Sequence, residues 1–96
     1  MEPEWFTSPF REVRWEPLFC EQVESLGIAT EKLDKPLSYL DYCLSSSPET
    51  FPRIPGTPFS RAVLHIYEED PPLPPLRVFF MYDAVQVKLI AIEFVL

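Results

Sequence analysis

The chain has 96 residues, 47% of them hydrophobic and 24% charged, which is enough apolar material for one core and too much for a disordered segment. Fifteen acidic against eight basic residues leave a net charge of −7, a balance that opposes general nucleic-acid affinity, since polyanions are held through Lys and Arg. No apolar run approaches the roughly 20 residues of a membrane helix, and no apolar signal core follows Met1-Glu2-Pro3-Glu4, so the expected setting is cytoplasmic and no membrane partner is expected.

In chain order, residues 1–9 hold Pro3 and Pro9 and read as an irregular leader. Residues 10–15 alternate, with Arg11, Val13 and Trp15 on one face and Phe10, Glu12 and Arg14 on the other, and predict a short first strand. Glu16-Pro17 then opens a helix, because a first-turn proline lacks an N–H that would have no partner there anyway. Phe19, Val23 and Leu26 form its apolar stripe and Gly27 its stop, so the helix is predicted over 17–26.

Leu33, Leu37, Leu40 and Leu44 recur at helical spacing and predict a second helix. Either Thr30 or Asp34 could begin it. Pro36 favours Asp34, since proline fits a first turn but costs about 3 kcal/mol in a helix interior. The predicted span is 34–46, ended by Ser45-Ser46-Ser47-Pro48, and the two helices are expected to form an antiparallel hairpin. The proline-rich stretch 48–58 reads as a stiff connector within one domain.

Strand character returns at 61–67, ends at Glu68-Glu69-Asp70 and the tract Pro71–Pro75, and resumes over 76–82 and 85–95. The last two segments, joined at Asp83-Ala84, are expected to pair as an antiparallel hairpin. The fold class is α+β in the order β-α-α-β-β-β, a helical hairpin packed on a small antiparallel sheet, with residues 1–96 forming a single domain. Core candidates are Leu37, Leu40, Leu44, Val78, Phe80, Leu89 and Ala91.

Cys20 and Cys43 fall in the predicted helices, without a CxxC or Cys/His neighbourhood, and read as buried free thiols. With His65 the only histidine, the four ligands of a zinc site are not supplied, and neither a metal nor a cofactor is expected.

Three segments, EVRWEPLFCEQVESLG (12–27), SSSPETFPRIPGTP (45–58) and PPLRVFFMYDAVQVKLIAIEFV (74–95), together resemble the RelE/ParE superfamily of bacterial toxin–antitoxin toxins. The resemblance implies a toxin held by a cognate antitoxin and, for an enzymatic member, a metal-independent endoribonuclease acting on RNA at the ribosome. Arg77 matches the arginine that opens the family's penultimate strand, and Arg61 and His65 lie on the strand that often carries further basic residues. Arg77, His65 and Arg61 are thus the catalytic candidates the resemblance supplies. Two departures oppose RNA cleavage: the last strand ends as IEFVL, without the terminal basic and tyrosine residues of ribonuclease members, and the chain is acidic.

Each candidate has a plainer reading. A lone histidine on a half-buried strand is usually packed or hydrogen-bonded, although an unperturbed imidazole titrates at about pH 6.5 and suits acid–base work. Arg77 is placed to pair with Glu93 or Asp83 across the hairpin; Arg61 and Arg53 read as solvated charges, and Tyr82 as a turn-flanking residue. Glu68-Glu69-Asp70 reads as a solvated loop, and PPLPP (71–75) as a stiff connector before a polyproline II ligand. A second reading of the whole chain is a non-catalytic protein-interaction domain keeping the same fold, and self-association as a homodimer is open to either.

Overall fold

A computed structural model describes residues 10–66 and 72–96. The readings of the leader 1–9, of the acidic cluster 68–70 and of Tyr67 and Pro71 lie outside these residues. The described elements are β1 (Glu12–Trp15), α1 (Pro17–Ser25), α2 (Thr30–Ser46), a 3₁₀ turn (Pro48–Thr50), β2 (Ser60–Leu64), β3 (Leu76–Tyr82) and β4 (Gln86–Phe94). The α+β class and the element order agree with the sequence reading.

The sheet is mixed, with strand order β1-β4-β3-β2. β4 pairs antiparallel with β3, and β3 with β2, but β1 runs parallel to β4, with Glu12 beside Gln86 and Trp15 beside Leu89. This corrects the expectation of a purely antiparallel sheet. The period-2 alternation of a strand is the same whichever way its neighbour runs, so the pattern could not carry the direction.

The helices also differ in one place. α1 follows its predicted span, with Gly27 in the left-handed region at φ +72° just past its end, a backbone state that suits a residue without Cβ. α2 begins at Thr30 rather than Asp34, so Pro36 lies in the helix interior. The leucine stripe overrides the local cost: Leu33, Leu37, Leu40 and Leu44 are all buried against the sheet. Only a helix begun before Leu33 brings all four into the core.

The core lies between the helices and one sheet face. Ala62 and Leu64 from β2, Leu76, Val78 and Phe80 from β3, and Val87, Leu89 and Ile92 from β4 meet Phe19 and the α2 leucines there. Ala91, expected in the core, is only half-buried. The register slips between Phe79 and Phe80, so that Ala91 faces Phe79 while Leu89 faces Phe80. The extra residue, Ile90, shifts the alternation and turns Ala91 to the opposite face. Beyond the end of β1, Ile92 donates its N–H to Gln22 Oε1 at 2.8 Å, so α1 continues the edge that β1 leaves. The reading of buried thiols fails for Cys20, which is exposed, and Cys43 is half-buried.

Asp41 links the two layers. Its Oδ1 accepts the indole N–H of Trp15 at 3.3 Å, and burial holds its carboxyl above the ordinary carboxylate range, with the Trp15 hydrogen bond opposing the shift. A raised folded pKa means that the stabilisation belongs to the protonated form. It is fully present below the unfolded value, about 3.9, and is lost as pH rises through the folded value. Asp41→Asn is therefore expected to raise the urea midpoint at pH 7 and to leave it nearly unchanged near pH 3. A lowered midpoint at pH 7 would show that the ionic hydrogen bond to Trp15 outweighs the burial.

Candidate functional site

The sheet face away from the core is the face of interest. Residues alternate across a strand, so those between the buried positions point away from the helices. On β2 these are Arg61 and Val63; on β3, Arg77, Phe79 and Met81; on β4, Lys88, Ala91 and Glu93; on β1, Glu12 and Arg14. Among the described residues no helix lies on this face.

The three sequence candidates come together here. Arg77 pairs in register with Val63, and Arg61 with Phe79, so the two arginines are diagonal neighbours on adjacent strands. His65 follows just past β2 and is exposed between buried Leu64 and Ile66, which places it on the same side as Arg61. Arg77 also has the partner anticipated for it. Its Nε donates to Glu93 Oε1 at 3.1 Å and its terminal nitrogen lies 3.0 Å from the same oxygen. Both side chains are solvent-accessible, so this ion pair positions the guanidinium and adds little stability.

Phe79 is the residue that the sequence reading missed as a site residue. It sits half-buried on β3, with the Arg77 guanidinium 5.7 Å from its ring centroid and the small Ala91 in register on the other side. The alternation of LRVFFMY already placed Phe79 opposite Val78 and Phe80, so the signal was present. A guanidinium over an aromatic ring is a favourable cation–π arrangement, and the pair presents two flat surfaces at the middle of the sheet.

Charge divides between the layers. Among the described residues, Arg14, Arg61, Arg77 and Lys88, four of the chain's eight basic residues, lie on the open face with two acids, Glu12 and Glu93. The helical segment 16–50 instead carries Glu16, Glu21, Glu24, Glu31, Asp34, Asp41 and Glu49 against Lys32 and Lys35. Within a net charge of −7, the described residues of this face are thus locally basic.

At one end of the sheet, Arg11 Nε donates to the Asp83 carbonyl at 2.7 Å and its guanidinium lies 5.6 Å from the centre of the Tyr82 ring. Asp83 Oδ1 accepts the N–H groups of Val85 and Gln86 and so closes the β3–β4 turn. Those two backbone bonds, the largest cause, hold its carboxyl below the ordinary range, aided by Lys88 and Arg11. Tyr82 and Asp83 thus have structural tasks. Arg53 bridges to Ser60 beside β2. Among the described residues, no group of three or more His, Cys, Asp or Glu is placed to hold a metal ion, and no helix is long and apolar enough to cross a membrane.

No family model matches the chain, and no curated protein matches it. A solved structure that does match is TrmO from Pseudomonas aeruginosa, at 18% identity and a TM-score of 0.49, covering 96% of this chain and 39% of that one. The chain therefore spans well under half the length of that protein, and a match at this level carries neither activity nor substrate across. These findings correct the toxin reading. The solved structure found is a TrmO and not a RelE/ParE toxin, which overturns the toxin reading and its interaction-domain alternative.

Proposed function

We propose that the open sheet face binds single-stranded nucleic acid. The observation that carries this reading is Phe79 at the centre of the sheet, under the Arg77 guanidinium and beside Arg61, on a face holding half of the chain's basic residues. Unpaired bases stack on aromatic rings and on guanidinium planes, while arginine and lysine around them meet the phosphates. A duplex keeps its base faces inside the stack, which favours a single strand as the ligand. Arg61, Arg77 and Lys88 are the phosphate-facing groups of this reading, with His65 at its margin.

The acidic helical layer sets the conditions. It repels a polyanion at long range, so affinity is modest, and contact depends on the local cations. The test is fluorescence anisotropy of labelled oligo-uridine and oligo-thymidine at low and rising salt. Base stacking is worth about 1–3 kcal/mol, so Phe79→Ala is expected to weaken binding roughly five- to 150-fold. Arg61→Ala is expected to flatten the slope of log affinity against log salt by about 0.7, one phosphate contact on a single strand. Both side chains lie outside the core, so circular dichroism should be unchanged. Absence of saturable binding, or a Phe79→Ala variant with wild-type affinity, would remove this function.

A further inference from the structure

A second site lies on the other side of the molecule and rests on different observations. Between α1 and α2 a groove of about 300 Å³ opens to the surface. Its floor is apolar, formed by Ile28 with Leu33 and Leu37 of the core. One wall is the Trp15 indole, 39% exposed. That ring is held in place by its N–H bond to Asp41 and by edge-on packing against Phe19 at 5.1 Å. Glu24 from α1 and Asp34 from α2 stand at the rim, both exposed.

We infer that this groove seats the lysine or arginine side chain of an extended segment of a partner protein. The chemistry of the lining selects such an occupant. An apolar floor suits an aliphatic stem, which long basic side chains lay along hydrophobic surface while the charge stays near water. The indole N–H is already taken, so the ring offers its π face, which attracts a cation. The two carboxylates complete the complement from opposite sides, and the helical layer around them is strongly acidic. An anionic or purely apolar occupant would leave those carboxylates uncompensated or face them directly.

Size decides between a tethered side chain and a free ligand. Pockets for free small molecules span roughly 300–1,000 Å³ and enclose most of the ligand. This groove is at the lower limit and open, so it grips one side chain. A segment of protein adds contacts along the neighbouring helix surfaces that a free amine cannot make.

The experiment uses the full chain with Trp5→Phe, so that the indole N–H resonance in the NMR spectrum belongs to Trp15. The probes are the peptide acetyl-Ala-Leu-Lys-Leu-Ala-amide, its norleucine counterpart, and free butylamine. The lysine peptide is expected to shift the Trp15 resonance saturably, and the norleucine peptide to bind several-fold more weakly. Glu24→Gln and Asp34→Asn, which keep side-chain shape, should each weaken the lysine peptide about two- to five-fold, the range of an exposed ion pair. Equal binding of the norleucine peptide, or no shift with any probe, overturns the inference. Butylamine binding as tightly as the peptide also overturns it and assigns the groove to a small free cation. Oligonucleotide binding at the sheet face reports separately, so failure of either site is distinguishable from failure of the other.

Discussion

Phe80→Ala is expected to lose about 3–5 kcal/mol of stability, the range for truncating a fully buried aromatic ring. Phe80 is 0% exposed on β3, one of the two inner strands, and faces the helical layer. Its ring meets Phe51 edge-on at 5.9 Å, which fastens the connector after α2 to the sheet. Tyr82 lies 6.2 Å away on its other side. Alanine would leave a void walled by a β-sheet ladder, which cannot collapse without breaking strand pairing. A domain of this size has a total stability of about 5–14 kcal/mol, so the variant would stand near its unfolding threshold. Urea denaturation monitored by circular dichroism gives the number. A loss below about 1 kcal/mol would mean that Phe80 is not in the packed interior.

Pro36→Ala is expected to act in the opposite direction and stabilise the protein by about 2 kcal/mol. Pro36 sits in the interior of α2, where it has no N–H to give the Lys32 carbonyl and its ring crowds that same group. Interior proline costs about 3 kcal/mol relative to alanine. Alanine would return less than that, since proline also restricts the unfolded chain, an effect worth about 0.4–1 kcal/mol. The measurable result is a thermal midpoint raised by roughly 8–16 °C, at about 4–8 °C per kcal/mol for a domain near this size. A lowered midpoint would show instead that proline at position 36 favours the backbone course that lays both ends of the leucine stripe on the sheet.

Pro36 also marks where sequence reasoning stopped short. The local rule for proline put the start of α2 at Asp34, and the helix starts at Thr30 instead, because burying four leucines outweighs one lost hydrogen bond. The apolar stripes of α1 and α2 and the strand-rich closing hairpin were legible, since each is periodic within its own segment. The pairing of β1 with β4 was not, because it joins segments far apart in the sequence, and alternation is blind to direction. The bulge at Ile90 escaped for a related reason: VQVKLIAIEFV reads as one unbroken strand, and only the partner strand reveals the extra residue.

The candidate site divides in the same way. Arg61, Arg77 and His65 were supplied by the family resemblance rather than by the residue pattern, and their side of the sheet follows from strand alternation alone. Phe79 was passed over because the candidates were sought among charged and titratable residues, although naming Val78 and Phe80 as core already put Phe79 on the other face. The helix groove could not be anticipated, since Trp15, Glu24 and Asp34 come from three elements and meet only in the assembled layer. The grouping of basic residues on one face was equally hidden in a net charge of −7.

The parallel ladder between β1 and β4 also constrains how the chain reaches its native state. The first described strand finds its partner in the fourth, so this contact closes a loop that spans nearly the whole described sheet region. Long-range pairing of this kind is entropically late and slow. Until β4 emerges from the ribosome, α1 and α2 have only a partial sheet to cover, and Phe19 and the α2 leucines remain in water. The nascent protein thus passes through a stage with its apolar helical face uncovered, when chaperone engagement or off-pathway association competes most strongly with folding.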